Sequence, residues 1–380
     1  MRATRRNPKK RKVRDMASEG KIGTREAIAA TVYFLSTKLL ISFPQHMAEM
    51  GQTAAWIVPI VSFAVATLGF LIIVALIERY PGKGIVEASE EAGGPVLGLI
   101  ASLGYFAFFF ATTVLLIREF SETVSTALLP RTPLSVIMAV FIIATLVAVY
   151  NGLEAVTRAA SLGMPLIIGT LILLNLMLLP QSNFDVIFPL FGPGIWKLIY
   201  NGTVHSGIAG EVMFLSVIAG QLDERHKVKT MGLISLSVAA SFMIVSTLVY
   251  SAVFPYPLSL HITYPGYEAS TLIYSGRFLQ HIEVAFVFLW VISACIHLAL
   301  SGYTATVIIR DMLKLPSHKP LLPAFAILGF TFALVPSDVP QATHVDFMTV
   351  KTYGGLAIFV MPLILLLIAR LKTGPGPDRR

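Results

Sequence analysis

Long stretches without a single Asp, Glu, Lys or Arg dominate the chain. Residues 50–77, 96–117, 132–153, 159–184, 230–267 and 284–309 contain none of the four, and 320–337 and 352–369 are shorter stretches of the same kind. A bilayer accepts such segments as helices of about 20 apolar residues, because a helix satisfies its own backbone hydrogen bonds where no water can. Water does not accept them in this number. Hydrophobic residues make up 55% of the chain and charged residues only 13%, about half the roughly 25% typical of soluble domains. That balance excludes a soluble enzyme and equally a disordered chain, which would be charged and poor in large apolar residues. A single cysteine, Cys295, lies in an apolar run, so no intramolecular disulfide forms.

Two more apolar segments each carry a charge: about 26–48 with Lys38, and 195–221 with Glu211. Together with the uncharged stretches they predict an all-α integral membrane protein of ten transmembrane helices. The basic residues orient it. With the N-terminus in the cytoplasm, 23 Lys and Arg fall inside and five outside, namely Arg118, Arg131, Lys197, Arg277 and Lys351, with Lys38 in the membrane. Both termini are therefore expected to be cytoplasmic. Residues 1–25 hold ten of the 29 basic residues with no interleaved aromatic, so a nucleic-acid stacking surface is not expected. A tail that sets topology and touches anionic lipid is.

The expected organisation is a basic, disordered cytoplasmic tail at 1–24, one membrane domain at 25–372, and a short cytoplasmic tail at 373–380. Ten spans divide into five and five, about 25–184 and 195–372. An odd number per half forces the second half to be inverted relative to the first. Secondary transporters use this plan, with the first helix of each half broken at mid-membrane. The two charged spans, the first and the sixth, occupy those positions. In the first, Leu35-Ser36-Thr37-Lys38 interrupts the apolar run and Ser42, Pro44 and Gln45 follow; in the sixth, Gly202, His205, Ser206, Gly207, Gly210 and Glu211 crowd together. Breaks are expected near Ser36, Thr37 and Lys38, and from Ser206 to Gly210, where Gly207 and Gly210 let a ligand approach the backbone.

A half-helix starting at mid-membrane favours an anionic group at its N-terminus, and Lys38 strengthens that preference. Glu211 is placed to receive an amino group or to carry a proton. One basic and one acidic end suit a zwitterionic amino acid, with Lys38 and Glu211 flanking it or pairing in its absence. The alternative is a structural ion pair with no ligand. Tyr105, Phe109 and Ser293 are candidate walls of the same site. Arg118, Glu119 and Glu122, at the expected outer end of the third span, and Glu283, at the start of the eighth, are candidates for gating or partner contact. His297 is a proton relay or a structural histidine. No chemical motif points to catalysis, a metal or a cofactor: Pro81-Gly82-Lys83-Gly84 lacks phosphate-loop spacing, and neither H-E-x-x-H nor G-x-S-x-G occurs.

The ordered strings Arg79-Tyr80-Pro81-Gly82-Lys83, Leu116-Ile117-Arg118-Glu119-Phe120-Ser121-Glu122, Leu129-Pro130-Arg131-Thr132-Pro133, Gly152-Leu153-Glu154, Gly210-Glu211-Val212-Met213-Phe214-Leu215 and Tyr264-Pro265 resemble the spore germination permease family. This family comprises the B subunits of endospore nutrient germinant receptors, within the amino acid–polyamine–organocation superfamily. The resemblance covers about 20–370. It implies a LeuT-type 5+5 inverted repeat with helices one and six unwound, and a multi-pass protein of the inner spore membrane. It further implies recognition of a small germinant, often an amino acid, and action with receptor A and C subunits. Glu211 falls on the family's glycine–glutamate motif, and Glu119 and Glu122 on its R-E-F-S-E motif. Lys38 departs from the small or hydroxylated residue expected there, and a lysine at the break can fill a cation site instead of binding substrate. The reading that competes with a germinant sensor is a proton-coupled amino acid transporter.

Overall fold

The computed structural model of the protein describes residues 21–40, 42–262, 264–272 and 282–372. Most of the predicted basic tail and all of 373–380 lie outside that set. The described residues form helices and one isolated parallel bridge, Ile22 to Leu222. In chain order the α-helices are α1 (Thr24–Ser36), α2 (Phe43–Gly51), α3 (Ile57–Arg79), α4 (Ile85–Ala127), α5 (Leu134–Tyr150), α6 (Leu153–Leu178), α7 (Ile195–Val204) and α8 (Phe214–Val217). They continue as α9 (Val228–Val253), α10 (Pro265–Thr271), α11 (Ile282–Met312), α12 (Leu322–Ala333), α13 (Val339–Val345), α14 (Lys351–Gly355) and α15 (Met361–Lys372).

Six segments are long and apolar enough to cross a membrane by themselves: Ile57–Arg79, Ile85–Thr126, Leu153–Gln181, Arg225–Val253, Phe288–Met312 and Val339–Lys372. A seventh is the bent pair Thr24–Leu39 and Phe43–Ala54, whose axes differ by 66°. The other expected spans are the shorter apolar helices Leu134–Tyr150 and Lys319–Ala333 and the interrupted segment from α7 to α8. Large apolar side chains such as Leu68, Leu162, Trp196, Ile327 and Leu371 stand on the outside, as lipid-facing residues do.

Two span boundaries differ from the sequence reading, both because a charge was taken to end a span. α4 does not stop at Ile117 but runs to Ala127, carrying Arg118, Glu119 and Glu122 inside the helix. The last segment begins at Val339 rather than at 352, so Lys351 is not an outer-loop residue but an internal one, with 2% of its surface exposed. A charge with partners inside a bundle does not interrupt a span. Arg118 is likewise 6% exposed, so two of the five basic residues assigned to the outside are internal; Arg277, another of the five, lies outside the described residues.

Glycine sets the shape where the backbone requires it. Gly94 adopts φ +82°, which is open to glycine and costly for other residues, and Pro95 follows, so α4 folds back on its first two turns. A Cβ on Gly98 would fall 2.5 Å from the Glu90 Cα, which shows how closely the two arms pack. At the other end of the chain, Ile22 is fully buried and exchanges backbone hydrogen bonds with Gln221 and Asp223. The segment just ahead of α1 is thus docked onto the strand-like turn that follows α8, although residues 1–24 were expected to be disordered.

Candidate functional site

Both breaks occur where they were expected. α1 ends at Ser36, and a 3-10 turn over Thr37–Leu40 carries the chain into the bend before α2. Thr37 begins that turn, its hydroxyl donating to the Tyr33 carbonyl at 2.7 Å. In the sixth segment α7 ends at Val204, and Ser206–Met213 winds as a 3-10 helix with non-helical dihedrals at Ala209 before α8 resumes. The tighter 3-10 winding aligns hydrogen bonds poorly, and the Ile208 carbonyl there accepts a hydrogen bond from the Lys38 ammonium.

Glu211, fully buried, lies between two lysines. Lys38 Nζ donates to one carboxylate oxygen at 2.7 Å, and Lys351 Nζ donates to the other at 3.0 Å. Lys351 also donates to the Thr112 hydroxyl at 3.3 Å and stands over the Phe108 ring at 4.9 Å. The Asp346 carboxylate is 3.7 Å away, within ion-pair range and beyond hydrogen-bond range. Three separate parts of the chain therefore close on one carboxylate.

What admits Lys351 is a backbone contact. A Cβ on Gly207 would fall 2.1 Å from the Lys351 carbonyl oxygen and 2.9 Å from the Gly355 amide nitrogen. The broken segment thus presses directly on α14, which no side chain at Gly207 would permit. Gly210 faces the Phe108 ring, whose nearest atom would be 2.7 Å from an added Cβ. The openings these glycines provide are filled by the protein's own α14 and Phe108. On α14's far side the helix loosens into π turns at Asp346–Val350 and Leu356–Val360, and the first of them places Asp346 and Lys351 within 3.7 Å at a five-residue spacing.

The cavity is lined by Lys38, Ser42, Thr112, Leu116, Glu119, Glu211, His297, Asp346, Phe347 and Lys351. About 20 Å³ is open to the centre of a water molecule, room for about one water and not for an amino acid. Phe347, in the lining, is stacked on His46 with centroids 4.1 Å apart. His297, 2% exposed, sets its ring edge-on to Phe34 at 4.7 Å, and neither of its nitrogens has a hydrogen-bond partner among the described residues.

Of the predicted residues, Lys38, Glu211 and Glu119 line this cavity. Ser36 is buried beside the first break with its hydroxyl unpartnered among the described residues, and Ser206 and Gly207 pack on Gly355. Phe109 lies one turn below Thr112 between Phe34 and Phe108, with centroids at 6.0 and 5.2 Å. Tyr105 and Ser293 stand apart from the lining: the Tyr105 hydroxyl is 3.4 Å from Ser89, and Ser293 sits beside the Tyr33 hydroxyl. Arg118 holds Glu122 at 2.8 Å and the Ser337 carbonyl at 2.6 Å, tying α4 to the chain just ahead of α13. The Glu283 side chain lies outside the described residues. Sequence reasoning missed Lys351, Asp346 and Thr112 as site residues. The available signal was the charged pair Asp346 and Lys351 just ahead of an apolar run too short to span comfortably.

The fold and the family are both recognisable by comparison. The architecture matches MHP1, a nucleobase-cation-symport-1 family transporter solved in a closed conformation with bromovinylhydantoin bound, with a TM-score of 0.61 and 15% identity over 92% of this chain and 78% of that one. It also matches MhsT in complex with L-phenylalanine, with a TM-score of 0.63 and 14% identity over 91% and 98%. These are transporters of the LeuT fold. In sequence, the Bacillus subtilis (strain 168) spore germination protein YndE is 22% identical over 93% of this chain and 97% of its own. Spore germination protein KB of the same organism is 24% identical over 93% and 96%. The family described as spore germination protein matches residues 21–342. With that match over most of its length and relatives aligned nearly end to end, the chain belongs to the spore germination protein family.

Proposed function

We propose that this protein is the membrane subunit of a spore nutrient germinant receptor, binding a small germinant of the amino acid class at mid-membrane and initiating germination without enzymatic chemistry. The observation that carries the reading is the Lys38–Glu211–Lys351 cluster, set where two broken helices meet the last span. Charged groups buried in a bundle are costly and are kept where function needs them, and a lipid-facing scaffold has no need of six ionisable groups around one small cavity. The family and the fold point to permease-type proteins; the fold alone does not separate sensing from transport. In this reading the subunit works with receptor A and C subunits in the inner spore membrane, with both termini cytoplasmic.

Thermal unfolding of the purified protein in detergent, against a panel of amino acids, sugars and nucleosides, tests it. A specific compound at 100 times its dissociation constant adds about 2.7 kcal/mol of stability, and Glu211→Gln should abolish that gain. A flat panel with folded protein would count against ligand binding by this subunit alone. The competing reading, a proton-coupled amino acid transporter, draws on the buried Glu119 and on neighbours that are transporters. Accumulation of substrate by reconstituted vesicles under a proton gradient, with no partner subunit, would establish it instead.

A further inference from the structure

The zwitterion expected from the sequence would place its amino group on Glu211. In the folded protein that carboxylate already receives an ammonium at each oxygen. Lys38 also takes the Ile208 carbonyl, so the chain's own lysines fill the acceptors at the break. Two other carboxylates on the same cavity each keep one oxygen without a hydrogen-bond donor. Glu119 is 4% exposed and its Oε1 has no hydrogen-bond partner among the described residues; Asp346, half-buried, has none on Oδ1, which the Lys351 ammonium approaches only to 3.7 Å. His297, which lines the same cavity, adds an independent sign: it is 2% exposed and neither of its ring nitrogens has a hydrogen-bond partner among the described residues. A buried acceptor without a donor is costly, and several of them around one cavity point to a donor that arrives from outside the chain.

Along the bundle the two carboxylates lie to one side of Glu211, with Asp346 3.7 Å from Lys351. Thr112 and Lys351 meet at one level. Glu119 lies seven residues further along α4, roughly 10 Å. Asp346 lies five residues back from Lys351, toward the same end. In the orientation that the basic residues give, that end is the outer one. An incoming molecule meets the carboxylates first and the two lysines beyond them.

We propose that Glu119 and Asp346 form a subsite for the ammonium group of an amino-bearing germinant, while Lys351 and Lys38 face its carboxylate. This rests on the ligand-binding reading above and refines it: Glu211 organises the lysines and does not touch the ligand. It also restricts the ligand class, because a deaminated analogue loses the outer contacts and a decarboxylated one keeps them. The cavity must widen to admit such a molecule.

The experiment compares, by thermal shift and calorimetry on the full-length protein in detergent, each of the twenty amino acids with its deamino acid and its decarboxylated amine. The wild type should respond to an amino acid and more weakly to the matching amine, and not to the deamino acid. Glu119→Gln and Asp346→Asn should each weaken that binding by about tenfold to a hundredfold, the worth of one charge-assisted hydrogen bond. Glu119→Asp should retain part of it, and the unliganded melting point of each variant reports its folding. Amino acid binding unchanged in both neutral variants and lost only in Glu211→Gln would overturn the subsite and leave the receptor reading standing. A response to deamino acids equal to that of amino acids would also overturn it. No response to any compound by folded wild-type protein would remove the reading on which it rests.

Discussion

Two lysine–glutamate pairs of this protein are close to superimposable in chemistry and opposite in consequence. Lys38 and Glu211 meet at 2.7 Å with side chains 9% and 0% exposed; Lys227 and Glu224 meet at 2.5 Å with side chains 44% and 40% exposed. In the second pair water solvates each partner nearly as well as the other does, and such pairs contribute little. In the first, burial leaves each partner little solvation to fall back on. Removing one member strands the other, although the pair itself need add no net stability over apolar residues. The inner pair is thus an all-or-nothing element, and the outer pair a fastening. Around Glu224 lie Thr24, whose hydroxyl donates to its carboxylate, and the bridge of Ile22 to Leu222. That cluster holds the chain ahead of α1 against the turn after α8.

The contrast can be broken most forcefully at Glu211. Glu211→Gln leaves two buried ammonium groups facing one neutral amide and should lower unfolding stability by about 3–5 kcal/mol, read by thermal unfolding in detergent. Replacing Lys38, Glu211 and Lys351 together with Met, Leu and Met should recover most of that loss, because no charge is then stranded, while ligand response disappears. A triple variant as unstable as the single one would show that the cluster holds the fold as well as the site. Next in size is Gly207→Ala. Its Cβ would meet the Lys351 carbonyl at 2.1 Å, so α14 must shift, with an expected loss of about 1–3 kcal/mol. Cross-linking between cysteines introduced on the two elements would report the separation, and a silent substitution would refute the close approach as a constraint.

Smaller effects belong to the surface around Glu224 and Arg225. Arg225 is half-buried and donates to the carbonyls of Ile77, Tyr80 and Lys83, capping the end of α3. Arg225→Ala should cost about 1 kcal/mol and raise amide exchange in residues 77–83, whereas unaltered exchange there would mean the cap is dispensable. The smallest effect is at Glu224, whose carboxyl is held below the usual range first by the Lys227 hydrogen bond and then by that of Thr24. A depressed carboxylate contributes above its unfolded value and loses that contribution as pH falls through its folded value. Acidification below the ordinary carboxylate range should therefore loosen residues 21–24, and high salt should do so at neutral pH. Hydrogen exchange at those amides that ignores both pH and salt would disconnect the latch from this pair.

Much of the site was legible because its residues break rules that hold elsewhere in the chain. Lys38 and Glu211 are charges inside apolar spans, and the glycines around Glu211 crowd a segment that should be a good helix. Lys351 obeyed a rule that happened to be misleading: a charge next to an apolar run reads as the end of the span. Only the shortness of the apolar run after it sets it apart from Arg79 and Arg310, which do stand at span ends. Glu119 was noticed as part of a charged string and placed at the surface for the same reason.

The sequence by itself determined that the chain lives in a bilayer, that its apolar segments are helices, and that the first and sixth are interrupted. These follow from the cost of unsatisfied backbone and unsolvated charge in hydrocarbon, which each segment meets alone. Which charges face one another was decided only by tertiary structure. Gly207 allows α14 to approach, a π turn sets the spacing of Asp346 and Lys351, and the continuation of α4 beyond Ile117 brings Glu119 inward. Pairing depends on packing between segments far apart in the chain, and packing is not a property of any one of them.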